Sequence, residues 1–386
     1  MRVLLDCSHL NTGGAIQVGL AILENAARTP AHRWHAVLSG RIAPQVPESL
    51  DRSLASVVRL PVRSNPWTRY AQISRHLPRI ERAIVPDVVF TVFGPAKWRA
   101  RAPHLVGFAI PHVLYPETDV YLWHRNLRRL VANATLFLQL RWVRRALHNA
   151  DYLVVETETV RKRTSELHGF PAERTFVVRN SYSPAFVDSL AQARTSSADR
   201  PFTVLVPSAY YLHKNLEIVP RVARELRTLT DAGFEFVITL PPDAPEWRAI
   251  HQDSIDLGVA DRVRTVGAVP HRDLAQRYRA SDAVFLPTLL ECSTAVYPES
   301  FAAGVPLATS ALDFARELCA DAALYFDPLS PSDAARSLAR LMADPELRRR
   351  LVENGRRVLR ETYPSPEKKW EDQIACLVEG ARRGKA

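Results

Sequence analysis

Glu291-Cys292-Ser293-Thr294-Ala295-Val296-Tyr297-Pro298-Glu299 lies between an apolar run at 283–287 and a short helical pattern at 300–303, which Gly304-Val305-Pro306 stops. The three pieces read as strand, loop and helix, so both carboxylates fall at the carboxyl end of a strand. Open α/β sheets hold their ligands in that position. The stretch therefore predicts a parallel sheet with helical crossovers and places two acids where such a sheet binds.

The same alternation of short apolar runs and longer helical patterns extends outward on both sides. Strands are predicted at 3–5, 35–38, 57–60, 88–92, 105–110, 152–156 and 175–178, with helices at 15–28, 67–84, 121–147 and 159–168. A polar stretch at 191–201 has no apolar periodicity and reads as a linker. Beyond it, strands are predicted at 202–206, 236–240, 263–266, 284–286, 307–309 and 324–326, and the chain ends in Arg-rich helical sequence. Repeated βαβ units imply an α/β fold. The expected domains are 1–190 and 201–364, with a last helix, about 365–386, returning to the first.

At 386 residues and 47% hydrophobic composition the chain exceeds what one core usually supports, which agrees with two domains. A formal net charge of +10 implies an acidic partner: phosphate-bearing ligands, an anionic membrane face or nucleic acid. Nucleic acid is set aside because the Arg residues are spread along the chain and no binding module appears. Cys7, Cys292, Cys319 and Cys376 are scattered, without a CxxC pair, so neither a disulfide framework nor a zinc site is expected. The apolar start is too short for a signal peptide and no span suits a membrane helix; the expectation is a cytoplasmic protein whose membrane contact, if any, is peripheral.

Individual positions admit two readings each. Glu299 after Pro298 makes a good helix start, or it accepts hydrogen bonds from a ribose diol. Lys214, in Tyr210-Tyr211-Leu212-His213-Lys214-Asn215, follows a predicted strand and precedes a helical pattern near Leu216. It is either a solvated lysine or a cation for a diphosphate. Gly13-Gly14 is an ordinary βα turn or a bare loop that admits a phosphate or sugar. His112 after the run at 105–110 is structural or ligand-facing. Ser293, Thr294 and Ala295 are small enough to let backbone N–H groups approach a ligand.

Glu291 to Glu299 followed by Ser300-Phe301-Ala302-Ala303-Gly304-Val305-Pro306 resembles the Glu-seven-Glu motif of the family 4 retaining glycosyltransferases, whose GT-B fold has two Rossmann-like domains facing a central cleft. The flanking segments at 263–287 and 317–328 are similar to that family as well. The resemblance implies roles. Glu291 lies by the donor sugar, Glu299 holds the ribose, Lys214 the diphosphate, the Gly13-Gly14 loop faces the donor and His112 contacts the sugar. Glu291, Lys214 and His112 are the candidate catalytic residues. Gly13, Gly14, Lys214, Ser293, Thr294, Ala295 and Glu299 are the candidate donor-binding residues. The Arg179-Asn180-Ser181-Tyr182 turn and Phe186 resemble the family's domain junction. Four departures stand out: Ala209 where many members have Arg, Val113 where they have Asp, Ser181 for Gly, and Cys292-Ser293-Thr294 where Gly-Phe-Gly is frequent.

The implied activity is transfer of a hexose, with retention, from a GDP- or UDP-linked donor, leaning to a mannose-like sugar. The acceptor is a glycan or lipid-linked glycan of surface polysaccharide or lipopolysaccharide. No cofactor is expected beyond the nucleotide sugar, and no metal, since no Asp-x-Asp motif is present. A nucleotide-sugar 2-epimerase of the same fold is the alternative. The basic, aromatic stretch at 127–147, with Arg128, Arg129, Arg141, Arg144, Arg145, Phe137 and Trp142, reads first as an amphipathic helix on its own sheet and second as a dock for anionic lipid.

Overall fold

The computed structural model describes residues 1–11, 13–62, 65–116, 138, 141–186 and 200–384. Its backbone forms two compact units: Met1–Pro116, the described part of His124–Val178 and Glu367–Ala386 in one, Arg179–Pro366 in the other. The linker at 191–201 falls outside the described residues as far as 199, as does most of the helix expected at 121–147, of which 138 and 141–147 are helical.

The first unit holds seven parallel strands: β1 (Arg2–Cys7), β2 (Arg33–Leu38), β3 (Ser56–Arg59), β4 (Val88–Thr91), β5 (His104–Gly107), β6 (Tyr152–Val155) and β7 (Thr175–Val177), in the order β3-β2-β1-β4-β5-β6-β7. The second holds β8 (Phe202–Val206), β9 (Phe234–Ile238), β10 (Val263–Thr265), β11 (Ala283–Leu286), β12 (Leu307–Ser310) and β13 (Ala323–Phe326), in the order β10-β9-β8-β11-β12-β13. Every strand expected from the sequence is present. Runs such as Val88–Thr91 and Ala283–Leu286 are buried at all four positions, as strands covered on both faces by helices must be. One short helix, Glu48–Ser53, was not expected.

In both sheets the strand order reverses beside the first strand, at β1/β4 and at β8/β11. Such a reversal leaves a crevice outside the carboxyl ends of the two strands, because the crossovers leave in opposite directions. The last helix, Pro366–Arg383, packs on the first unit through Trp370, Ile374, Leu377 and Ala381, a stripe at helical spacing. The Trp370 indole N–H donates to Thr29 Oγ1 at 2.9 Å, and its ring lies 5.5 Å from that of Trp34. Among the described residues no helix is long and apolar enough to cross a membrane.

Three local expectations need correction. The helix carrying Glu299 runs Val296–Ala302, so it starts before Pro298; proline fits because the first helical turn has no N–H partners to lose. Gly13 and Gly14 open the helix Gly13–Ala27 instead of forming the turn before it. Leu216 starts only a 3-10 turn; the α-helix begins at Val219. The stop after Glu299's helix is as read: Gly304 adopts φ +64°, its N–H donates to the Phe301 carbonyl at 3.1 Å and that of Val305 to Ser300 at 3.0 Å.

Candidate functional site

The β8/β11 seam brings Lys214 and Glu291 together. The chain after β8 forms a 3-10 turn, Leu212–Lys214, and ends it with Asn215 at φ +55°, a left-handed conformation that asparagine tolerates better than most side chains. The Asn215 amide donates to the carbonyls of Pro287 (3.2 Å) and Pro328 (2.9 Å), tying this loop to those after β11 and β13. From the other side, the Leu289 N–H donates to the His213 carbonyl at 2.7 Å. Two loops far apart in sequence are thereby held as one surface.

On that surface Lys214 Nζ donates to Glu291 Oε1 in an ion pair whose side chains are only 15% and 8% exposed. The buried Thr288 hydroxyl lies 3.2 Å from the same Oε1, 3.1 Å from the His213 carbonyl and 3.2 Å from that of Leu290. It fixes the carboxylate's position relative to the loop that carries the lysine. Lys214 is the only lysine or arginine between β8 and the helix at Val219, because position 209 is alanine.

Glu299 is 3% exposed. Burial pushes its carboxyl from 4.5 up to about 8, against the opposing pull of a hydrogen bond from the Tyr278 hydroxyl, 3.3 Å from Oε2. The acid is therefore largely protonated at neutral pH. Tyr278 is itself fully buried, with the ring of Phe186 against it edge-on at 5.2 Å. Of the three small residues between the glutamates, Thr294 accepts the Val296 N–H at 3.3 Å and Ala295 accepts that of Glu299 at 3.0 Å. Ser293 Oγ is buried with no hydrogen-bond partner among the described residues.

The remaining candidates lie in the first unit. Gly13 and Gly14 follow β1, and His112 sits in the 3-10 turn Pro111–Val113 after β5, where burial lowers its pKa and favours the neutral ring. At the β1/β4 seam the sequence reading passed over Asp6. It is buried and bonded by the Trp98 indole N–H at 2.9 Å, the Thr91 hydroxyl at 3.1 Å and the Ser8 N–H at 3.0 Å. One acid in an otherwise apolar strand was the available signal. Tyr278, Thr288 and Asn215 carried none, since each acts through a contact across the fold. Among the described residues no cluster of three or more His, Cys, Asp or Glu could hold a metal ion.

Residues 189–358 match the family described as Glycosyl transferases group 1. The alpha-D-kanosaminyltransferase of Streptomyces kanamyceticus is 25% identical over 224 residues, 55% of this chain and 57% of that protein. The D-inositol 3-phosphate glycosyltransferase of Thermobispora bispora is 28% identical over 210 residues, 51% of this chain and 49% of that protein. The chain spans about half the length of the curated relatives it matches. Among solved structures, Anabaena Alr3699/HepE in complex with UDP-glucose superposes with a TM-score of 0.67 at 15% identity, covering 97% of this chain and 99% of that one. The architecture is thus that of the GT-B glycosyltransferases, with two α/β units whose parallel sheets have seven and six strands.

Proposed function

We propose that this chain, whose residues 189–358 belong to the glycosyl transferases group 1, is a retaining glycosyltransferase that moves a hexose from a nucleotide sugar to a glycan or lipid-linked glycan. The observation that carries this reading is the assembly of Lys214, Glu291 and buried Glu299 around one strand-order reversal. A GDP- or UDP-linked donor, with a mannose-like hexose, is the version we favour; the solved relative holding UDP-glucose supports a nucleotide-sugar donor.

In this reading the bond from the anomeric carbon to the donor phosphate oxygen breaks, and its electron pair leaves with the nucleoside diphosphate. The acceptor hydroxyl adds on the same face, and its proton passes to the departing phosphate oxygen. Negative charge grows on the diphosphate, and Lys214 is the group placed to stabilise it. Glu291 keeps that ammonium in place and meets the sugar hydroxyls. Glu299 receives the ribose diol, and the small residues Ser293, Thr294 and Ala295 leave room for it.

The acceptor we favour is a growing surface polysaccharide or lipopolysaccharide. Its delivery from an anionic membrane face is supported by Arg141, Arg144, Arg145 and exposed Trp142 in the helical run at 141–147. A melting screen with UDP-, GDP- and dTDP-sugars tests the donor. A ligand bound only by the folded chain raises the melting temperature, and about 3 kcal/mol is gained at a hundredfold excess over Kd. No shift with any nucleotide sugar sinks the proposal. Proton spectra of the product then read retention directly.

A further inference from the structure

We propose that Thr288 is a positioning residue for sugar transfer: its one hydroxyl proton swings from backbone carbonyls to Glu291 Oε1 as Lys214 turns to the leaving diphosphate, and it holds the carboxylate in place while the lysine's charge is shared. This role rests on the glycosyl-transfer reading above. Thr288 follows β11 directly after Pro287 and is fully buried. Its oxygen lies 3.1 Å from the His213 carbonyl, 3.2 Å from that of Leu290 and 3.2 Å from Glu291 Oε1. All three neighbours are acceptors, and a threonine hydroxyl has a single proton to give. The three distances are nearly equal, and each exceeds the roughly 2.7–2.8 Å common for O–H···O bonds. No one acceptor holds the proton firmly.

The loops on either side are docked without this hydroxyl. The Leu289 N–H donates to the His213 carbonyl at 2.7 Å, and the Asn215 amide reaches the carbonyls of Pro287 and Pro328. What the hydroxyl adds is a bond to Glu291. It is the only hydroxyl among the described residues that bonds this carboxylate: Ser293 Oγ has no partner, and Thr294 Oγ1 accepts the Val296 N–H. Oε1 thus receives both the Lys214 ammonium and the Thr288 hydroxyl, while Oε2 bonds no described residue and is left for a sugar hydroxyl. With the ammonium against it, the carboxylate's charge is compensated and the two carbonyls compete for the proton. As negative charge grows on the diphosphate, Lys214 divides its charge, and Glu291, 8% exposed, loses part of its compensation. The carboxylate is then the strongest of the three acceptors, because a hydrogen bond to an ionised group is roughly twice as strong as a neutral one. The swing is a rotation about one C–O bond. It breaks no covalent bond, and the His213 carbonyl keeps the Leu289 N–H.

The test is steady-state kinetics on the full chain with the nucleotide sugar found in the melting screen. Thr288→Val keeps the side chain's shape and removes the proton. We expect its kcat to fall about tenfold or more, the worth of one hydrogen bond to a charged group. Its KM for the donor should change by no more than about threefold, since the swing accompanies charge development and not donor binding. Thr288→Ser, which keeps the hydroxyl and loses the methyl, should retain kcat within about threefold of the wild type. Where T288V does not fold, the pair T288A and T288S serves instead: both lose the methyl, and only the hydroxyl separates them. In a Lys214→Ala chain there is no ammonium to replace, so adding T288V should lower turnover by no more than about twofold further. A fully active T288V, a T288S as slow as T288V, or losses that multiply in the K214A chain each overturn the role of Thr288 while leaving the transfer reading standing. A wild type that transfers sugar to no acceptor and releases none to water overturns the transfer reading, and this role with it.

Discussion

The two seams, β1/β4 and β8/β11, have the same strand order and opposite chemistry. At β8/β11 a lysine and a glutamate from different loops face each other, with a second, buried glutamate on the next helix. At β1/β4 the buried acid, Asp6, is turned into the fold. Burial alone would raise its pKa, but the His9 charge and hydrogen bonds from Ser8 and Trp98 outweigh it and hold the carboxyl below its ordinary 3.8. One carboxylate is held by hydrogen bonds and a histidine of its own scaffold, the other by a cation that a ligand can also use. Strand order decides where a site can form; the loop residues decide whether its charges are committed to the fold.

The comparison breaks most visibly at Lys214. Replacing it by alanine removes the proposed countercharge for the leaving diphosphate, and we expect turnover to fall by about 10²- to 10³-fold. It also strands the Glu291 carboxylate at 8% exposure, so the chain should lose about 3–5 kcal/mol in urea unfolding. The double variant K214M/E291L removes both charges and should be more stable than K214A alone while remaining inactive. Full turnover by K214A would show that the ion pair is scaffold only, as Asp6 is. At the other seam, Asp6→Asn should cost about 1.5–3 kcal/mol, through weakened bonds from Trp98, Thr91 and Ser8. Donor affinity should not change. If D6N folds with wild-type stability yet loses donor binding, the two seams are not different in kind.

Much of this was legible in the sequence, and for identifiable reasons. Strands such as Val88–Thr91 and Ala283–Leu286 are short apolar runs bounded by breakers, and burial on both faces leaves no other pattern. Lys214 and Glu291 could be placed because each follows such a strand closely. Their bond to each other could not, because it depends on the reversal of strand order and on the Asn215 and Thr288 contacts that dock one loop on the other. Tyr278 was invisible as a partner of Glu299 for the same reason. The helix start at Val296 was missed because Pro298 suggested a boundary, whereas proline is tolerated throughout the first turn.

The smallest expected effect sharpens the contrast between an acid held charged and one held neutral. Glu299, raised from 4.5 to about 8, binds its proton more tightly folded than unfolded. The folded chain therefore carries more protons between those values, and stability falls as pH rises from about 5 to 8; below that window the contribution is fully present. Asp6, with its pKa lowered, has the opposite sign: its contribution is present above its ordinary pKa and is lost on acidification. Glu299→Gln should flatten the slope between pH 5 and 8 and leave the acid limb intact. A ribose diol that prefers the carboxylate must drive the proton off. Donor affinity of the wild type should thus rise severalfold from pH 6.5 to 8.5, with proton release measurable by calorimetry in buffers of different ionisation enthalpy. E299Q should bind more weakly and without that rise. A wild-type affinity independent of pH across this range would mean that the diol is not held by Glu299 in its charged form, and the two buried acids would then share one structural role.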